Sequence, residues 1–250
     1  MVRRPPPAGQ TQWNEQSITV SMLGQLRYST EGVLAFPRMR CLRVAPDGTL
    51  WGRHYERRIV DGEPQTHDGV IVLQSDDHGY TWHMTGEMPY QPDQQLDPQW
   101  HEREGFNEPD YAFMSDGSVI CLMRSGGPLY CCRSMDHGKT WSTPAVFDSL
   151  GVSPELLTLA NGVTLAAYGR PGLYVRATAD PQGLHWTDRL TIVEPGDPSE
   201  HTTCAYASMM ALDEATALIA YSHFSYPDAH GNLCKTILVR TVTVTGERDD

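Results

Sequence analysis

The stretch Ser75-Asp76-Asp77-His78-Gly79-Tyr80-Thr81-Trp82 returns as Ser134-Met135-Asp136-His137-Gly138-Lys139-Thr140-Trp141. Both read S-x-D-x-G-x-T-W, and chance does not place five residue types at the same spacing twice. A looser third copy runs from Thr178 through Asp180 and Gly183 to Trp186. Each copy has the composition of a tight turn between two strands. The Asp folds its carboxylate onto backbone N–H groups, the Gly takes a positive φ, and the Trp covers the outer strand. Asp77, Asp136 and Asp180 are therefore read as structural turn residues, although they are the most conspicuous acids in the chain.

A second periodic feature interleaves with the first. Asp47-Gly48, Asp116-Gly117 and Asn161-Gly162 are strong hairpin turns, and Asp213-Glu214 holds the same place in a fourth segment. An apolar run precedes each turn and another follows it. A third strand leads into each S-x-D-x-G-x-T-W turn, and a fourth strand leaves it. The repeating unit is thus a four-stranded antiparallel meander of roughly 40 to 60 residues, the size of one β-propeller blade. Almost nothing in the chain has helical periodicity. Tyr90–Phe106 reads as an elaborated loop, and Ser17–Tyr28 as strands of a further, incomplete blade.

At 250 residues the chain is long enough to bury a core in one domain. We expect a single domain over 15–246 behind a basic, Pro-rich, disordered tail at 1–14. The formal charge of −12 argues against nucleic acid or an anionic membrane as partner. No apolar run spans a bilayer and no signal peptide opens the sequence, so a cytoplasmic protein is expected as the sequence stands, or a secreted one if an N-terminal segment is missing. None of the six cysteines has metal or redox spacing, and buried free thiols are expected. Neither a metal site nor a cofactor is expected.

A meander fixes which loops share a face. The segment before strand 1 and the loop between strands 2 and 3 lie opposite the S-x-D-x-G-x-T-W turns. On that face fall Arg38, Glu108, His201 and Tyr206 before first strands, and Arg53, His54, Arg124, Arg170 and His223 in second-to-third loops. Several arginines, a carboxylate and a tyrosine on one face of an acidic chain suit an anionic ligand. The planar guanidinium pairs bidentately with a carboxylate.

The paired turns resemble the Asp-boxes of BNR-repeat, sialidase-like propellers, over about Phe36 to Val244. The resemblance implies an all-β propeller of four-stranded blades, of the six-bladed sialidase type, with four to five blades in this chain. It also implies a glycan partner and exo-glycosidase chemistry on a terminal acidic sugar. In that family an arginine triad holds the sugar carboxylate, a tyrosine activated by glutamate attacks the anomeric carbon, and an aspartic acid protonates the leaving group. By position Glu108, Arg124, Arg170 and Tyr206 match the glutamate, the later arginines and the tyrosine. Arg38 resembles the first arginine locally but lies only one blade before Glu108. His54 and His201 would line the same face. Asp61, Glu63 and Asp68 lie in the region of the acid, and none fits the family pattern well. The same face also suits a lyase acting on a uronic acid, or a binding propeller without turnover.

Overall fold

The computed structural model describes residues 2–4, 14–16, 19–21, 42–60, 63–195 and 206–245. Strands β1 (Val2–Arg4), β2 (Asn14–Gln16) and β3 (Thr19–Ser21) come first. The first blade contains β4 (Leu42–Val44), β5 (Leu50–Val60), β6 (Glu63–Ser75) and β7 (Thr81–Met88). The second contains β8 (Asn107–Phe113), β9 (Val119–Arg124), β10 (Leu129–Ser134) and β11 (Ala145–Asp148). The third contains β12 (Val152–Thr158), β13 (Thr164–Gly169), β14 (Leu173–Thr178) and β15 (Leu190–Val193), and the fourth β16 (Ser208–Ala211), β17 (Thr216–Pro227) and β18 (Leu233–Thr243). Within each blade, neighbours in sequence pair as antiparallel neighbours in the sheet. This is the all-β meander that the repeats predict. The one described helix is a short 3₁₀ turn at Trp100–Glu102.

Alternation along the strands explains how the blades stack. In β9, Val119, Cys121 and Met123 enter the core shared with the first blade, where Trp51, Val70, Val72 and Met88 meet Phe106, Tyr111 and Tyr130. Ile120 and Leu122, on the other face of β9, join Leu156, Ala166, Tyr168 and Tyr174 of the third blade. The third and fourth blades share a core of Leu165, Ala167, Val175, Ile219 and Tyr221. A strand buried on both faces needs a continuous apolar run rather than an alternating one, and Val119–Met123 is such a run.

The repeated turns have the expected mechanics. Asp77 accepts from the Thr81 backbone N–H at 2.8 Å and from the Thr81 hydroxyl at 2.7 Å, and the Ser75 hydroxyl accepts from the Gly79 N–H at 2.8 Å. Asp136, Thr140, Ser134 and Gly138 repeat that set. In the third copy the His185 ring takes the place of the Thr hydroxyl, 2.9 Å from Asp180. In all three the indole N–H donates to the glycine carbonyl three residues back, at 2.8 to 3.1 Å. Gly79, Gly138 and Gly183 have φ of 84°, 82° and 67°. Hydrogen bonds from Thr140 hold the Asp136 carboxyl down to about 2, and those from Gln182 and His185 do the same for Asp180.

Four features differ from the sequence expectations. Val2–Arg4, in the segment read as a disordered tail, pairs antiparallel with Asn14–Gln16. Of Ser17–Tyr28 only Thr19–Ser21 lies within the described residues. It runs parallel to β7 as a fifth strand of the first sheet. The fourth sheet has three strands among the described residues. Finally, β5 does not end in a loop at Arg53 and His54. It continues to Val60 and, with β6, forms a long hairpin.

Candidate active site

The ends of the second blade define its two faces. Arg124 pairs with Asn107 and Leu129 at one end, while Val119 pairs with Ser134, the first residue of the repeated turn, at the other. Glu108, Arg124 and the starts of the later blades therefore lie away from the Asp turns.

The first strands of the second and third blades begin with the same irregularity. Pairing shifts between Asn107 and Asp110, and again between Val152 and Glu155. At these bulges Glu108 has φ of 47° and Ser153 of 46°, and Tyr206, at the equivalent place in the fourth blade, has φ of 65°. Left-handed backbone at a non-glycine residue costs on the order of 1–3 kcal/mol and clusters where a side chain must be aimed. Glu108, Ser153 and Tyr206 line one cavity of about 250 Å³, with Arg53, Tyr55 and Glu155. Arg124 and Arg170 line a second, larger cavity of about 600 Å³, with Gly126, Gly127, Val152 and Phe224. Arg170 too has a positive φ, 67°.

The two cavities share a wall. Arg124 Nη1 lies 3.5 Å from Glu108 Oε1, and the other Glu108 oxygen accepts from the Ser153 N–H at 2.8 Å. Glu108 is 6% exposed and Tyr206 44%. The carboxylate is thus fixed from two sides, and the Tyr206 side chain is the more exposed of the two in that cavity. Arg124 Nη2 is also 3.1 Å from Glu104 Oε2. The buried Nε atoms of Arg124 and Arg170 have no hydrogen-bond partner.

Beneath the smaller cavity lies a buried ion network. Arg43 donates to both Asp110 oxygens, at 2.9 and 2.5 Å, and to Glu155 at 3.0 Å. Arg53 Nη2 donates to Glu155 at 3.1 Å. Its Nε is 3.1 Å from Asp110 but off the hydrogen-bond line, and makes no bond. Asp110, fully buried, also accepts from the Leu156 and Tyr111 N–H groups. Burial opposes the Arg43 charge, and the bonds and charges of Asp110 and Glu155 outweigh it, raising the guanidinium further above its ordinary range. Three blades are thereby joined under the site.

Of the residues singled out from sequence, Glu108, Arg124, Arg170 and Tyr206 come together from three successive blades. His54 does not join them. It is 1% exposed, on the face of β5 opposite Arg53 and Tyr55, because neighbouring strand residues point to opposite sides. Arg38 and His201 lie outside the described residues, as does Asp61. Glu63 is exposed on the hairpin. Asp68 is held by two backbone bonds beside Glu104 and Phe106. Burial, then the charge of Glu104, raises its carboxyl above the ordinary value, and Arg57, 3.7 Å away, opposes this. Arg43, Asp110 and Glu155 were missed. Their one sequence signal is that Asp110 and Glu155 hold equivalent places, each after a proline at the start of a first strand.

The fold is that of the sialidase-like BNR propellers. The chain matches the BNR repeat-like domain over residues 33–231 and belongs to that family. No curated protein matches the sequence. Among solved structures, a protein of unknown function from Dyadobacter fermentans superposes with a TM-score of 0.71 at 18% identity, over 96% of this chain and 63% of that one. The alpha-L-arabinofuranosidase of Fusarium graminearum, solved with arabinobiose, gives 0.56 at 15% identity, over 86% of this chain and 65% of that one. The leech intramolecular trans-sialidase, solved with 2,7-anhydro-Neu5Ac, gives 0.53 at 15% identity, over 80% of this chain and 30% of that one. This chain thus spans less than two thirds of the length of each. At these identities the likeness is one of fold.

Proposed function

We propose that the chain is an exo-glycosidase that removes a terminal acidic sugar, a sialic acid or a relative of it, from a glycan. The observation that carries this reading is the Glu108–Arg124 wall. It sets a carboxylate and a tyrosine in one cavity beside two arginines in the next. A sugar bridging the wall would place its carboxylate on Arg124 and Arg170 and its anomeric carbon over Tyr206. Glu108 takes the phenolic proton as Tyr206 Oη attacks the anomeric carbon and the glycosidic bond breaks. Asp68, bonded through its backbone to Glu104 and Phe106 at the start of the second blade, is the candidate among the described residues to give a proton to the departing oxygen. Water then attacks the glycosyl–tyrosine bond, returning the phenol and freeing the sugar.

A glycan ligand is in keeping with the sugars bound in the arabinofuranosidase and trans-sialidase structures. Among the described residues no histidine lines either cavity, which favours a tyrosine nucleophile over a histidine base removing a proton from a uronic acid.

The test is release of a fluorophore from three aryl glycosides: an N-acetylneuraminide, a glucuronide and an arabinofuranoside. Turnover of the neuraminide, weakened by Arg170→Ala chiefly through KM, is the expected result. Turnover of the neutral arabinofuranoside alone would remove the acidic-substrate reading.

A further inference from the structure

Arg124 faces two carboxylates, and they are held differently. Glu108 is buried, with its second oxygen fixed by the Ser153 N–H. The Glu104 side chain is 55% exposed, and besides Arg124 it meets the Asn107 amide at 2.9 Å. The loop that carries it is pinned one residue earlier. Arg103 pairs bidentately with the buried Asp97, at 2.9 and 2.7 Å, and reaches the Gly126 carbonyl at 3.3 Å. Glu104 thus stands at the rim of the larger cavity. A Cβ built on Gly126, which lines that cavity, would come within 4.0 Å of its Cγ.

We infer that Glu104 is a resident competitor for the ligand carboxylate, and that it sets the charge selectivity of the site. The inference rests on the acidic-substrate reading above and deepens it. A carboxylate arriving at Arg124 finds Glu108 at Nη1 and Glu104 at Nη2, so it seeks a guanidinium edge that is already occupied and must displace one of the two. Glu108 cannot yield, because its burial and its backbone bond hold it. Glu104 can yield, because its carboxylate turns into water at little cost. Arg170, with no carboxylate partner among the described residues, takes part of the incoming charge and drives the exchange. A neutral sugar bound in the same cavity displaces nothing. Glu104 therefore taxes acidic ligands and leaves neutral ones untouched.

The experiment is calorimetric titration of wild type and Glu104→Gln with free N-acetylneuraminic acid and with arabinose, at low and high salt. Glutamine keeps the shape and an acceptor for Asn107 while removing the charge. Thermal melting confirms that both proteins are folded. The expected result is tighter binding of the acid by the variant, about five-fold, the size of one half-exposed ion pair. That gain should shrink at high salt, with arabinose binding unchanged. Equal or weaker acid binding by Glu104→Gln overturns the inference and leaves the acidic-substrate reading standing. No acid binding by either folded protein overturns both.

Discussion

Arg43 on the first blade grips both carboxylate oxygens of Asp110 on the second, at 2.9 and 2.5 Å, and reaches on to Glu155 of the third. Asp110 is the hub, since two backbone N–H groups and two guanidinium groups converge on it. Removing one member of a buried ion network leaves its partners uncompensated, at about 3–5 kcal/mol. Asp110→Ala should lose stability of that order in chemical denaturation, with Arg43 and Arg53 left facing Glu155 alone. A loss under about 1 kcal/mol would mean that water replaces the carboxylate freely.

This pair also marks the limit of what the sequence reveals. The turns were legible because Asp136, Thr140 and Trp141 act within a few residues of one another. The shared face of Glu108, Arg124, Arg170 and Tyr206 was legible because a repeat carries its register from blade to blade. Arg43 and Asp110 lie 67 residues apart on different blades, and their meeting depends on how the blades stack. His54 was misplaced for a related reason. The charge of Arg53 suggests a loop, but Asp110 and Glu155 compensate it, and the strand runs on with His54 turned to the other face. Glu104 sits in a loop whose path no periodicity predicts.

Blade spacing gives a second prediction. A Cβ on Gly86 of the first blade would lie 2.1 Å from the Gly138 carbonyl oxygen and 2.8 Å from that of Lys139, in the second repeated turn. The Gln74 amide reaches the same turn, 2.8 Å from the His137 carbonyl. Gly86→Ala should cost about 1–3 kcal/mol by forcing the two blades apart. Gly48→Ala has no such clash, since nothing lies within 4 Å, and meets only the strain of φ 87°. Thermal melts of the two variants should rank in that order.

The repeated turns predict a dependence on acid. The Thr140 bonds hold the Asp136 carboxyl at about 2, below its ordinary value of 3.8. The folded state therefore binds this proton less readily than the unfolded chain. The stabilisation is present above 3.8 and is lost as the pH falls through about 2. Asp136→Asn should lower the melting temperature at neutral pH and flatten its fall between those values. An unchanged slope in the variant would show that the turn is not held by the charged carboxylate.

The arginine cavity predicts a kinetic split. Arg170 has no carboxylate partner among the described residues, so its replacement removes ligand binding without breaking an ion pair there. Arg170→Ala should raise KM for an acidic glycoside about ten-fold or more, the value of one charged hydrogen bond, with a smaller change in kcat. Arg124→Ala also frees Glu108 and should lower kcat as well. Identical effects of the two changes would contradict separate roles.

The most direct test of the account is the rate of fluorogenic neuraminide hydrolysis by wild type and Tyr206→Phe. The change removes only the phenolic oxygen and leaves the Glu108–Arg124 wall in place. The account predicts that wild type turns the substrate over, and that kcat falls by about a thousand-fold or more in the variant, with KM little changed. A phenylalanine variant retaining kcat within about ten-fold would show that Tyr206 is not the nucleophile.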